Sequence, residues 1–152
     1  MFIGLEITGI TKQSQGFIIK EAVERSLLHL LPLCDDVLQI NVEVALDEDI
    51  GDACGLVDEG YDEMEYTIFL NQSILDDDVE LFKTVCHECV HIKQYFNKEL
   101  EHLNQYRVVF NNKVYDTFVT KYEERPWEVE AHKTEECLFQ ENRQLLMSLM
   151  KN

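Results

Sequence analysis

The sequence predicts an α+β fold, and three observations predict it. Residues 14–31 carry apolar side chains at helical spacing, residues 37–46 alternate apolar and polar types, and VCHECVHIKQY (residues 85–95) sets two histidines one helical turn apart. With 152 residues and 45% hydrophobic content, the chain has room for one domain, residues 1–152, and not for two of ordinary size.

The elements follow in order. Residues 2–10 alternate weakly and are a strand or an ordered lead-in. In the first helix Phe17, Ile18, Ala22, Val23, Leu27, Leu30 and Leu31 share a face, and Pro32 stops it. VLQINVEVAL (37–46) is a half-buried strand that begins a small mixed sheet. Residues 47–65 hold nine acids, three glycines and no base, so they are mostly loop, with CGLV (54–57) as a short strand inside it. EYTIFLN (65–71) is a strand by residue type, and residues 73–78 offer helix-start chemistry for the segment with the two histidines. YRVVFNNKVYDTF (106–118) is a β-hairpin turning at Asn111-Asn112, and Pro126 opens a last helix running to about residue 149.

Composition removes several function classes. A net charge of −17, with 30 acids against 13 bases, leaves no basic footprint for nucleic acid. No run reaches the length of a membrane span and the N-terminus lacks a signal-like pattern, so the expectation is a cytoplasmic protein without membrane attachment. Five cysteines, an odd number, fit reduced thiols better than a disulfide scaffold. Cys86 and Cys89 form a C-x-x-C that lies on the core side of its helix, so both are expected to be buried thiols. His29 and His102 have no companion at helical spacing and are expected at the surface.

The motif HECVH needs a helix, because only there do His87 and His91 point within about 40° of each other. Phe82, Val85, Cys89, Ile92 and Phe96 occupy the opposite side and define a core face. Two imidazoles so placed suit zinc, which takes a carboxylate or another imidazole as its next protein ligand. Downstream, PWEVEAH (126–132) offers Glu128 and Glu130. Glu128 falls on the apolar face defined by Ala131, Leu138, Phe139, Leu145, Leu146 and Leu149, whereas Glu130 falls on the far side with Glu141, Gln144 and Ser148. A carboxylate on an apolar face needs a partner, and a zinc ion held by His87 and His91 is one, so Glu128 is the expected third ligand.

HECVH followed by E-x-x-A (Glu128 to Ala131) on a second helix resembles the gluzincin class of zinc metallopeptidases, and PWEVEA resembles small peptidases of phage and bacterial genomes. The resemblance covers roughly residues 66–132. It implies a zincin-like domain in which His87, His91 and Glu128 bind zinc, Glu88 is the general base, and a protein or peptide is the substrate, in the host cytoplasm if the chain is phage-encoded. It also implies a strand ahead of the motif helix at the cleft edge, here residues 66–70, to which an extended peptide adds. Gluzincins often carry an acid four positions after the third ligand to steady a ligand histidine; here that position is His132, and Glu135 on the inner face is the substitute.

In that chemistry zinc activates water and polarises the scissile carbonyl, and Glu88 moves the proton to the leaving amine. Tyr122 or Tyr115, both between the motifs, is the candidate donor to the oxyanion. The alternative is a catalytically inactive zinc-binding interaction or regulatory module, for which Glu88 beside a ligand has no use.

Overall fold

A computed structural model describes residues 1–60 and 62–150. Its strands and helices are β1 (Phe2–Thr8), α1 (Gln13–Leu30), β2 (Val37–Ala45), α2 (Asp47–Ile50), β3 (Gly55–Glu59), β4 (Glu65–Asn71), α3 (Asp78–Phe96), β5 (Leu100–His102), β6 (Arg107–Phe110), β7 (Lys113–Asp116) and α4 (Pro126–Met150). The class is α+β: a mixed sheet ordered β1-β2-β4-β3, a separate antiparallel sheet ordered β5-β6-β7, and four helices among the described residues. Residues 2–8 are thus a strand, pairing parallel with β2 along their whole length.

Alternation decides which face of the larger sheet is covered. Leu38, Ile40 and Val42 of β2 and Tyr66, Ile68 and Leu70 of β4 are buried, and the register sets Ile40 beside Tyr66 and Val42 beside Ile68. These rows join Ile18, Ile19, Val23 and Leu27 of α1 and Phe82, Val85, Cys89 and Ile92 of α3 in one core. Each such side chain contributes about 1.5–3 kcal/mol by leaving water. On the other face Gln39 donates to Asn41, which donates to Glu65, so polar side chains there satisfy one another.

β3 runs antiparallel to β4 and forms the edge of the sheet. This corrects the expectation that residues 66–70 form the cleft edge. β4 has the more apolar sequence and is enclosed between β2 and β3, while the short, acid-flanked β3 takes the exposed position. The acid-rich segment is accordingly less of a loop than its composition implies: it contains the single turn α2 as well as β3. Tyr61 in that segment lies outside the described residues.

α3 begins where Asp77 Oδ1 accepts the Glu80 N–H at 3.1 Å. It ends in a Schellman turn: the Glu99 N–H reaches the Gln94 carbonyl (2.8 Å), the Lys98 N–H reaches that of Tyr95 (3.0 Å), and Lys98 takes the left-handed conformation at φ 56°. The chain then enters the small sheet. Asn111 and Asn112, at φ 48° and 68°, make its hairpin turn as expected, and β5 adds a third strand. Leu100, Val108, Phe110 and Trp127 form a second core beneath this sheet. Trp127 is the second residue of α4, so that core anchors the point from which α4 departs.

Candidate metal centre

Two helices meet at one carboxylate. His87 and His91 stand one turn apart on α3, and Glu128 in the first turn of α4 reaches between them: Glu128 Oε1 lies 3.0 Å from the Nε2 of each imidazole. All three side chains are buried. The far nitrogens are also engaged. His91 Nδ1 lies 2.8 Å from Gln94 Oε1, and His87 Nδ1 lies 3.2 Å from Glu135 Oε1. A carboxylate can only accept in its ionised form, and the Gln94 amide nitrogen is committed to the Trp127 carbonyl (3.0 Å) and Glu130 (2.9 Å). Each imidazole therefore keeps its proton on Nδ1, and in its neutral form turns an Nε2 lone pair toward Glu128.

Three acceptors converging on one point repel unless a cation joins them. Burial alone pulls the His87 pKa down, but Glu128, Glu135 and the Glu88 charge outweigh it and hold it up to about 10. His91 is raised in the same sense: burial opposes, while Glu128, Glu88 and the Gln94 hydrogen bond prevail. Burial pushes the Glu128 carboxyl up, yet the two imidazoles bring it well below the usual range. The field that keeps protons on the histidines favours any positive charge held between them. His87, His91 and Glu128, with ligand-type atoms within 4.8 Å of one another, could thus hold a metal ion.

The outer partners show where the wheel reading was too simple. Glu130 is not on a solvated far side: it is half-buried, accepting from Gln94 and from Lys93 Nζ (3.1 Å), while Lys93 also reaches Glu99 (2.8 Å). Gln94 is fully buried, 0% exposed, and ties the His91 ring to both Trp127 and Glu130 on α4. No motif pointed to it; its spacing three residues after His91 was the available signal. Glu135 accepts from His87 Nδ1 at 3.2 Å and also bonds His132 Nδ1 at 2.6 Å.

A cleft of about 580 Å³ opens over the cluster, between the β3 edge, α3 and the start of α4. Glu88 lies in its wall, 5% exposed, and its carboxylate makes no hydrogen bond among the described residues. Burial raises its pKa, and the neighbouring imidazoles only partly counter this. Tyr122 reaches the cluster: its hydroxyl lies 3.1 Å from Glu128 Oε1 and 3.1 Å from His132 Nε2. Tyr115 does not. Its ring packs on Trp127 at 5.4 Å between centroids, against the second core, and it is not among the residues that line the cleft. His102 is exposed as expected, yet it also lines the cleft, held by the Tyr95 hydroxyl at 2.9 Å. Cys86 and Cys89 are buried free thiols in the main core, and burial pushes Cys86 up to about 12.

The chain matches no family model, no curated protein and no solved structure. The geometry shows a group of side chains that could hold a metal ion, a buried carboxylate without a hydrogen-bond partner in the same cleft wall, and a cleft lined by both. No helix among the described residues is long and apolar enough to cross a membrane.

Proposed function

We propose that this chain is a zinc-dependent metallopeptidase of the gluzincin type, hydrolysing peptide bonds with His87, His91 and Glu128 as zinc ligands and Glu88 as general base. Two neutral imidazoles and a carboxylate are a donor set suited to zinc at a catalytic site. When bound there, zinc supplies Lewis acidity, polarising a carbonyl and making water a nucleophile near neutral pH.

The residues of the chain supply the rest. Glu88 takes the proton of the attacking water and returns it to the leaving amine. Tyr122 stays protonated, since burial and the Glu128 charge raise its pKa, and its hydroxyl, 3.1 Å from Glu128 Oε1, is the proposed donor to the oxyanion. The edge strand receives the substrate. The Gly60 N–H bonds the Glu65 carbonyl and the Cys54 carbonyl accepts from Asn71, so in this antiparallel ladder the even-numbered residues face β4 while Gly55 and Val57 turn their N–H and C=O groups outward. An extended peptide adds there by main-chain hydrogen bonds.

The observation that carries the reading is Glu88. A site that only binds metal gains nothing from a buried carboxylate without a hydrogen-bond partner, next in sequence to a ligand and open to the cleft. In the test, Glu88→Gln keeps fold and zinc while chelator-sensitive peptide hydrolysis falls by about 10²–10⁴. Full activity in that variant refutes the assigned base. Zinc-loaded wild type that cleaves none of a broad peptide library is instead the outcome expected of an inactive zinc-binding module.

A further inference from the structure

We propose that the cleft selects basic polypeptide segments, holding a lysine or arginine on the C-terminal side of the cleaved bond between Asp52 and Glu80. This rests on the peptidase reading and adds a substrate class to it.

The charge of the cleft is one-sided. Asp52, Glu80, Glu88, Glu128 and Glu135 line it, and Arg125 is the only lysine or arginine among the described residues that do. Arg125 is already engaged: its guanidinium donates to the carbonyls of Thr117 (3.0 Å) and Thr120 (3.2 Å). Nearby lysines do not compensate either. Lys83 pairs with Glu136 at 2.8 Å, and Lys93 pairs with Glu99 and Glu130. Even a bound dication leaves the lining with more negative than positive charge. Asp52 and Glu80 form no ion pair among the described residues.

Two further observations make this a ligand site and not merely an acidic surface. Glu88 is buried, unpartnered and open to the same cleft, and the outward N–H and C=O groups of Gly55 and Val57 lie along its edge. The edge also has a direction. Cys54, just before β3, faces Glu80 (Sγ to Oε1, 3.8 Å); β3 then passes Thr84 and Glu88 at Gly55 and ends at Glu59, within electrostatic reach of Tyr95. Antiparallel pairing is the more stable ladder. A guest strand running opposite to β3 brings the residues after its cleaved bond to Asp52 and Glu80. Those before the bond meet Tyr95 and His102.

The test uses two labelled unstructured peptides that differ only by Lys or Gln on the C-terminal side of a cleavable bond. Their binding to zinc-loaded Glu88→Gln protein is followed by fluorescence anisotropy, so recognition is read without turnover. The lysine peptide is expected to bind about tenfold tighter at low salt, with the ratio shrinking toward one in 0.5 M salt. The ratio should also collapse in an Asp52→Asn, Glu80→Gln double variant, whose two sites are exposed and outside the core. Equal binding of the two peptides, binding of neither, or a lysine preference untouched by the double variant overturns the inference. A basic preference confined to the N-terminal side does so too. Cleavage of the same peptides by wild type reports separately on the peptidase reading: lysine discrimination without cleavage keeps the basic-segment site and removes the enzyme.

Discussion

The backbone of Gly55 passes so close to Glu88 that a Cβ on it would stand 3.2 Å from Glu88 Oε1 and 3.0 Å from the Thr84 methyl. Edge strand and motif helix are therefore in contact at Glu88, the proposed general base, and a glycine permits the approach. Gly55→Ala should displace the Glu88 carboxylate by a few tenths of an ångström, because that carboxylate is the movable neighbour. The expected result is unchanged zinc content with kcat lowered about tenfold, and a larger loss for Gly55→Val. Zinc stoichiometry measured beside single-turnover rates checks it; a fall in zinc and rate together would place the effect on the ligands instead.

Gln94 is the second point of leverage. It holds the His91 ring from one side and α4 from the other, so Gln94→Leu removes the acceptor for His91 Nδ1 while keeping an apolar side chain of similar size. Zinc affinity should fall about 10–100-fold, the usual effect of losing an outer partner of a ligand histidine. Competition against a chelator of known affinity measures this without reference to activity. An unchanged affinity would reduce Gln94 to a packing role.

Much of this arrangement was legible in the sequence because it depends on local periodicity. His87, His91 and Glu128 could be placed because each helix shows its apolar stripe, and the stripe fixes where the other side chains point. The edge position of β3 was not legible, since strand order depends on which strand the helices cover, and CGLV has no signal that distinguishes an edge from a centre. Glu130 was misplaced for a related reason. A helical wheel divides residues into core and solvent, but the C-terminal turns of α3 pass beside the start of α4, and there Lys93 and Gln94 convert a polar side into a half-buried one. Tyr122 and Tyr115 could not be separated from the sequence, because both lie between the motifs; they differ in tertiary contacts, Tyr122 with Glu128 and His132 and Tyr115 with Trp127.

That division yields a paired prediction. Tyr122→Phe deletes a hydroxyl 3.1 Å from Glu128 Oε1 and should lower kcat by about 10² with little change in KM, as expected for a donor used chiefly in the transition state. Tyr115→Phe removes a hydroxyl from a ring packed against the second core and should leave kcat within about twofold. Kinetics of both variants on one peptide decide the assignment, and a larger effect at Tyr115 would reverse it.

The last prediction concerns the metal-free protein. The His87 pKa is held up to about 10 against an ordinary 6.5, chiefly because Glu128 and Glu135 outweigh the cost of burial. A group raised in the folded state contributes stability that is complete below its unfolded pKa and is lost as pH climbs through its folded pKa. Apoprotein should therefore lose stability between roughly pH 6.5 and 10, as the unfolded chain sheds the proton that the folded chain retains. Glu128 works in the opposite sense: its depressed pKa contributes stability above the ordinary carboxylate value that disappears as pH falls below it. In the proposed site a zinc ion would replace the protons between these three side chains, so zinc should flatten the alkaline limb and stabilise the fold most where the metal-free protein is weakest. Thermal melts across this range, with chelator and with stoichiometric zinc, give the comparison. An alkaline limb of equal slope in both would mean that the protons on His87 and His91 do not stand where the metal binds.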